Sequence, residues 1–181
     1  AELHRVTRDA YGWDIDNTIG STPQENGWLD DWVDFWRERR LGFQLKLARR
    51  HGAGRALLDK GEQLLEVFPA LFADYTPQAS LLHGDLWGGN IGYDDDGNPV
   101  IFDPAVYYGD READLAMTEL FGGFSQRFYA AYEEAWPLDD GYTVRKIFYN
   151  LYHILNHFNM FGGGYAGQAE RMTEHLLSEL T

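Results

Sequence analysis

The sequence predicts a single, mostly helical α+β domain with one small β-hairpin near its middle. Two patterns support this prediction: long stretches in which apolar residues recur at helical spacing, and a central stretch of short apolar pieces separated by Asp and Gly. Composition is the third observation, since 181 residues with 44% hydrophobic and 15% aromatic side chains are enough for one packed core. We therefore expect residues 1–181 to form one domain.

The N-terminal third of the chain contains an irregular segment followed by two helical ones. Residues 1–27 carry Gly, Pro, Asn, Ser and Thr without a sustained period, which indicates an ordered loop region. Helical spacing covers residues 28–50, with acidic residues early and basic residues late, and we expect a bend near Gly42. A second helix is predicted over residues 57–68, ending near Pro69.

The rest of the chain contains the hairpin and four more helices. Short apolar pieces occur at residues 80–83, 91–93 and 100–102, and the Asp-Asp-Asp-Gly-Asn turn at 94–98 predicts that the last two pair as a hairpin. The predicted helices that follow are 113–120, 128–132, 144–158 and the tail from residue 168.

Charge and composition exclude several classes of protein. With 15 basic and 29 acidic side chains the net charge is −14, which repels nucleic acid and anionic lipid and attracts cationic small molecules. The absence of Cys excludes disulfides, thiolate catalysis and Cys-based zinc sites. No apolar run approaches the roughly 18 residues of a membrane span, and the charged start is unlike a signal segment. We expect a soluble, cytoplasmic protein that binds neither nucleic acid nor membrane.

Three oxygen-bearing side chains are grouped around the predicted hairpin. The stretch His-Gly-Asp-Leu-Trp-Gly-Gly-Asn places Asp85 after a short strand and Asn90 where the hairpin starts, and Asp103 follows where it ends. Because the start of one hairpin strand lies beside the end of its partner, Asn90 and Asp103 should be neighbours, with Asp85 close to both. The alternative is that Asp85 and Asn90 only cap a turn.

This combination suits phosphoryl transfer from ATP, which depends on positioning and on neutralising charge. One Asp accepts the proton of the attacking hydroxyl, while an Asn and a second Asp hold Mg²⁺. The spacing follows the kinase catalytic loop H-x-D-L-x-x-x-N, with Asp103 in the place of the D-F-G aspartate. Gly84 replaces the Arg of that loop, and about ten residues separate Asp103 from the next helix, too few for a phosphorylated activation segment. We therefore expect a small-molecule kinase.

Taken together, these motifs resemble the fructosamine/ketosamine-3-kinase family, relatives of the aminoglycoside phosphotransferases. The Trp-Gly-Gly-Asn continuation of the His-Gly-Asp triplet is the most specific part, and the resemblance runs from about residue 10 to about residue 170. The segments that carry it are Gly20–Gln24, Asp31–Trp32, Phe35–Trp36, His83–Asn90, Val100–Pro104, Tyr108–Ala116, Phe121–Ser125, Asn156–Asn159, Phe161–Gly162 and Gly164–Tyr165.

The resemblance implies a protein-kinase-like C-terminal lobe whose hairpin carries the catalytic loop. It also implies ATP-dependent phosphorylation of the 3-hydroxyl of ketosamines, sugars joined to small amines, amino acids or proteins through an Amadori-type linkage. The phosphorylated adduct then decomposes, so the family repairs glycated amines. Carried over by position, Asp85 is the catalytic base, Asn90 and Asp103 are the Mg²⁺ ligands, and His83 and Asp114 support the catalytic loop.

Further residues are candidates for substrate contact. Trp87, followed by two glycines, either stacks on a sugar ring or faces an amine cation, or else packs under the loop. Glu112 either meets a protonated amine or stabilises a helix N-terminus. On the penultimate helix Asn150, His153 and His157 lie opposite the apolar stripe, so we expect them outside the core, solvated or lining a cleft that binds a hydroxylated substrate. His157 is the candidate for that contact.

Two parts of a complete kinase are not recognisable in these residues. No G-x-G-x-x-G follows a predicted strand, and Lys46, Lys60 and Lys146 all fall in helical patterns, although a strand lysine is needed. We expect the chain to be the C-terminal lobe of a two-lobe kinase and to need an N-terminal ATP-binding lobe in cis. Alone, it should bind ATP-magnesium poorly and have little activity. The alternatives are an aminoglycoside- or choline-type kinase, a kinase-fold binding module without catalysis, and an acidic metal-dependent hydrolase.

Overall fold

The helices of the computed structural model, which describes residues 1–180, follow the periodic stretches of the sequence. They are α1 (Trp32–Phe35), α2 (Gly42–Arg50), α3 (Arg55–Val67), α4 (Arg111–Leu120), α5 (Gln126–Ala135), α6 (Tyr142–Phe161) and α7 (Tyr165–Leu180). The first begins four residues later than predicted, because the Asp31 side chain accepts a hydrogen bond from the Asp34 amide at 2.8 Å and caps the helix there. The mostly helical α+β prediction is confirmed.

A π-helical stretch, Trp36–Leu41, joins α1 to α2 in place of the expected bend. Gly42 has ordinary helical angles, and a Cβ there would lie 2.2 Å from the carbonyl oxygen of Arg37, so only glycine fits behind the wide turn. The same turn buries Arg40, which donates to Asn26 Oδ1 at 2.7 Å. This helix is therefore fastened to the N-terminal segment.

Seven short strands form three antiparallel sheets in the described residues. They are β1 (Thr7–Arg8), β2 (Asn17–Ile19), β3 (Thr22–Gln24), β4 (Ala79–Leu82), β5 (Ile91–Tyr93), β6 (Pro99–Ile101) and β7 (Tyr107–Gly109). The predicted hairpin is confirmed as β5 paired with β6, while β2 pairs with β3 and the order β1-β4-β7 makes the third sheet. Strands β1 to β3 lie in the segment expected to be an ordered loop region, and β7 also was not predicted.

Helix α6 lies at the centre of the molecule, between α2, α4 and α7. Its residues are buried on nearly every side, including Asn150 and His153, which are 6% and 5% exposed. The solvated alternative for this polar face is therefore wrong for both, because α4 and α7 cover it. Within residues 1–180, none of the helices combines the length and the apolar character that a membrane span requires.

Candidate active site

The loop after β4 is held in place by one buried carboxylate. Asp114, in the first turn of α4, accepts hydrogen bonds from the backbone amides of His83 at 2.7 Å and Gly84 at 2.8 Å. Its Oδ2 atom also meets His4 Nε2 at 3.1 Å. Burial alone would raise the pKa of Asp114, but the His4 side chain and the nearby donors lower it below its ordinary value. A charged carboxylate therefore fixes the backbone just ahead of Asp85.

Gly84 allows the chain to make the turn between β4 and the loop. Its φ is +82°, and a Cβ would lie 2.0 Å from the carbonyl oxygen of Ala105. Ala105 approaches this closely because its amide donates to the His83 carbonyl at 2.8 Å. Any side chain at this position would push apart the two segments that carry the site.

His83 joins the loop to the end of the hairpin. Its Nε2 atom bonds the Phe102 carbonyl at 2.9 Å, which requires a proton on Nε2 and leaves Nδ1 to accept from the Asp85 amide at 3.3 Å. With 3% of its surface exposed, this imidazole has no access to a reactant. It orients the loop.

Asp85 and Asn90 are directly linked. Asn90 Nδ2 donates to the Asp85 carbonyl at 2.9 Å and to Asp85 Oδ2 at 3.2 Å. Burial raises the pKa of Asp85, although Asn90, His83 and His157 oppose this, and the negative charge of Asp103 adds to the increase. Asp85 is thus a partly desolvated carboxylate that holds a proton more readily than an exposed aspartate does.

Asp103 is brought to the same place by the closure of the hairpin. The Phe102 amide donates to the Asn90 carbonyl at 3.1 Å. Asp103 is the next residue along the chain, so the hydrogen bond places it close to Asn90. Its φ of 56° is the only positive value among the non-glycine residues described, a conformation that functional sites tend to retain. The Asp103 carboxylate is exposed, and the hydrogen bond from Asn90 Nδ2 to Asp85 orients the amide that carries Asn90 Oδ1. Both groups offer hard oxygen ligands suited to Mg²⁺.

A cavity of about 340 Å³ opens beside Asp85. Trp87 forms one wall and is 37% exposed, so it does not pack under the loop. The indole lies close to Gly89, where a Cβ would be 2.3 Å from the ring, and its centroid is 6.1 Å from that of Phe121 in an edge contact. The other residues that line this Asp85 cavity include Ile19, Gly20, Met117, His153, Asn156, Met160, Phe161 and Tyr165.

His157 also lines the Asp85 cavity and is half-buried. Its Nδ1 atom bonds the His153 carbonyl at 2.8 Å, which fixes the proton there and leaves the Nε2 lone pair without a hydrogen bond from residues 1–180. Phe121 and Tyr165 stand beside the ring, with centroids 5.0 and 5.2 Å away. This polar face was expected to be either solvated or part of a cleft, and His153 and His157 both line the cleft.

Glu112 does not reach the site, so the prediction that it contacts the substrate is wrong. It is 0% exposed, and its two carboxylate oxygens accept from Arg145 at 2.8 and 3.0 Å. Burial raises the pKa of Glu112 to about 7 against the opposing effect of Arg145. A fully enclosed ion pair of this kind has no free oxygen to offer an amine.

Some residues of this region carry no signal in the sequence. Ile19, Met117 and Met160 line the Asp85 cavity but cannot be distinguished from core residues by pattern. His4 contacts Asp114 across 110 positions of the chain, so no local spacing connects them. Phe121 and Tyr165 lie in segments that carry the family resemblance, and this resemblance could have identified them as site residues.

The model of the family described as "Fructosamine kinase" matches residues 1–179. This chain belongs to the fructosamine kinase family. Curated relatives of this family include a "Probable ketoamine kinase" of Synechocystis, 53% identical over 98% of the chain, and a chloroplastic protein-ribulosamine 3-kinase of Arabidopsis thaliana, 47% identical over 99%. A ketosamine-3-kinase of Mus musculus is 40% identical over 97% of the chain.

Solved structures of fructosamine-3-kinase homologues share the fold. One from Thermobifida fusca superposes with a TM-score of 0.89 at 33% identity, and one from Haemophilus somnus with 0.87 at 32%, each over 97% of the chain. The matched region spans 59% of the Synechocystis protein, 56% of the Arabidopsis protein, and 61% and 60% of the two structures. The chain is therefore well short of the length of the fructosamine kinase relatives it matches.

Proposed function

We propose that the protein is an ATP-dependent ketosamine kinase that phosphorylates the 3-hydroxyl of fructosamine-type adducts. The observation that carries this proposal is Asp85, a carboxylate with a raised pKa that is oriented by Asn90 on the wall of a cavity. The cavity is large enough for a sugar, and its Trp and His side chains suit a hydroxylated ring. The names of the relatives, ketoamine, ribulosamine 3- and ketosamine-3-kinase, support the same acceptor class.

In the proposed reaction Asp85 takes the proton of the sugar 3-hydroxyl. The hydroxyl oxygen forms a bond to the γ-phosphorus of ATP, the bond from that phosphorus to the β-phosphate oxygen breaks, and ADP leaves. Asn90 and Asp103 would hold Mg²⁺, which neutralises charge on the phosphate oxygens. Burial raises the pKa of Asp85, so it is a stronger base than an exposed aspartate. The 3-phosphate then decomposes and releases the amine, which amounts to deglycation.

The remaining candidates take supporting roles in this proposal. His83 and Asp114 hold the loop through the hydrogen bonds described above and do not touch the reactants. Trp87 stacks on the sugar or its cationic amine, which its exposed indole allows. His157 accepts a hydrogen bond from a sugar hydroxyl through Nε2.

We further propose that residues 1–181 form the catalytic and acceptor-binding lobe of a kinase-like fold. Lys46, Lys60 and Lys146 lie in α2, α3 and α6, so none of them is a strand lysine placed over the phosphates. The matching kinases are longer than the matched region. On this proposal the remaining ATP contacts come from the part of such proteins outside that region.

The test is transfer of phosphate from ATP to N-fructosyl-butylamine by the longer protein that includes the proposed ATP-binding lobe, monitored by ADP release and by phosphorus NMR of the product. Asp85→Asn keeps the shape of the side chain and removes the base, so kcat should fall by about 10²- to 10⁴-fold. Asp95→Asn, in the exposed turn of the same hairpin, is the matched control and should leave kcat unchanged. An active Asp85→Asn variant would overturn the assignment of the base, and transfer only to aminoglycosides would overturn the substrate class.

A further inference from the structure

A series of buried hydrogen bonds connects α5 to the loop that carries Asp85. One end is the Asp114 carboxylate, whose Oδ2 atom lies 3.1 Å from His4 Nε2. The other ring nitrogen of His4, Nδ1, lies 2.7 Å from the hydroxyl oxygen of Tyr132, and Arg111 Nη1 lies 3.2 Å from that same oxygen. We call these four side chains the Tyr132 network. All of them are buried, and His4 and Tyr132 are only 4% and 6% exposed.

The direction of each hydrogen bond in the Tyr132 network follows from the chemistry of Arg111. A guanidinium can only donate, so the Tyr132 oxygen accepts from Arg111. The hydroxyl proton is then available to His4 Nδ1, which accepts it, and the ring proton lies on Nε2. That proton points at Asp114, whose ionised carboxylate can only accept. The imidazole is therefore fixed at both nitrogens in the orientation that serves Asp114.

Two arginines fasten the Tyr132 network to the end of α5. Arg111 also donates to two backbone carbonyls that follow this helix, at 2.9 and 2.6 Å. Arg5, the neighbour of His4, donates at 2.7 Å to the carbonyl of Ala135, the last residue of the helix. The hydroxyl of Tyr132 therefore lies between a fixed guanidinium and a fixed imidazole, with little freedom to turn elsewhere.

We propose that Tyr132 is a positioning residue for phosphate transfer, which acts on Asp114 by orienting the imidazole of His4. Without the hydroxyl, Nδ1 of a buried ring would have no donor, which favours a displacement of the ring. Asp114 would then hold the amides ahead of Asp85 less rigidly, while the residues that line the Asp85 cavity would not change. The loss should therefore appear in kcat and not in the KM for the acceptor. The inference rests on the proposed function, because kcat refers to phosphate transfer.

Tyr132→Phe and Tyr129→Phe form a matched pair of variants. Both tyrosines lie on α5, and the Tyr129 hydroxyl is also bonded to a side chain, that of Thr118 at 3.1 Å, but it has no contact with the Tyr132 network. In the longer protein that includes the proposed ATP-binding lobe, Tyr132→Phe should reduce kcat by about 3- to 30-fold and leave the KM for fructosyl-butylamine unchanged. Tyr129→Phe should change neither value, and urea unfolding checks that both variants remain folded.

Two further measurements distinguish positioning from a general structural effect. In NMR spectra of the 181-residue chain, the amide proton of Gly84 should shift in Tyr132→Phe and not in Tyr129→Phe, because it reports on its hydrogen bond to Asp114. In a His4→Leu background, Tyr132→Phe should reduce kcat no further, because the residue through which it acts is gone.

Three results would overturn the positioning role. They are a Gly84 amide that responds equally to the two tyrosine variants, equal kcat values in those variants, and a Tyr132→Phe effect that persists in the His4→Leu background. Failure of the proposed function is a different result. If the longer protein transfers no phosphate but the Gly84 amide shifts only in Tyr132→Phe, the proposed function is wrong and the link from Tyr132 to Asp114 stands.

Discussion

Substituting Ala for Gly84 separates the effect of backbone conformation from the effect of crowding at the loop. Gly84 and Gly97 have nearly the same φ, +82° and +81°, but only Gly84 has a close neighbour. A Cβ at Gly84 would lie 2.0 Å from the Ala105 carbonyl oxygen, whereas nothing lies within 4 Å at Gly97. Gly97→Ala therefore carries the conformational cost alone, and Gly84→Ala carries both.

The two costs differ in size. A left-handed conformation costs a non-glycine residue about 1 kcal/mol or slightly more, so Gly97→Ala should lower Tm by roughly 2–4 °C. At Gly84 the backbone must also move by about 1 Å to relieve the contact, which strains the bond from the Gly84 amide to Asp114, 2.8 Å long. Losing a charge-assisted hydrogen bond adds about 1.5–3 kcal/mol, so the total is about 2.5–4 kcal/mol.

Urea unfolding and phosphate transfer to fructosyl-butylamine measure both consequences. Because Gly84 precedes Asp85, a displacement of about 1 Å should also reduce kcat by about 10²-fold. Gly97→Ala should leave kcat unchanged. If the two variants lose the same stability and retain the same kcat, the claim that Ala105 confines the loop is wrong.

Three other outcomes are expected. Asp114→Asn should lower the free energy of unfolding by about 2–4 kcal/mol and reduce kcat, since its amide would face one of the two backbone donors; unchanged urea unfolding would contradict this. Burial lowers the pKa of His153 to about 3, so the stability that it contributes is complete above its ordinary pKa of 6.5 and is lost as the pH falls towards 3. His153→Leu should reduce the change in unfolding free energy with pH by about 1 kcal/mol per pH unit. If urea unfolding at pH 5 and pH 7 gives the same change in the variant and in the unaltered chain, this prediction is wrong. In calorimetry the 181-residue chain should bind ATP-magnesium with a Kd weaker than about 0.1 mM, and low-micromolar binding would contradict the proposed division into lobes.

Local patterns were sufficient for the helices and for the hairpin of β5 and β6. Periodic apolar residues and a cap such as Asp31 act within one or two turns, so they can be recognised without knowing the fold. The strands β1 and β7 have two and three residues, and they exist only because both pair with β4, which is distant from each in the sequence. The strands β2 and β3 have three residues each and pair with each other across residues 20–21. A segment this short has no period to detect.

The site was predictable where it depends on motif spacing and unpredictable where it depends on tertiary contacts. Asp85 and Asn90 meet because five positions along one loop bring them together. Glu112 was misjudged because its partner, Arg145, lies 33 residues away on another helix. The burial of His153 was missed because an apolar stripe indicates one buried face, whereas α6 is enclosed by neighbours on several sides.

The number of residues in the π-helical turn before α2 determines how α2 is rotated about its own axis. A π turn holds one residue more than an α turn, and one residue corresponds to about 100° of rotation. Gln44 of α2 bonds Asn159 at 2.7 Å and Asn156 at 3.3 Å, and Asn156 lines the Asp85 cavity. A deletion of one residue within Trp36–Leu41 would rotate Gln44 away from the floor of that cavity. Variation in length is therefore far less tolerable in this stretch of helix than in the hairpin turn at residues 94–98.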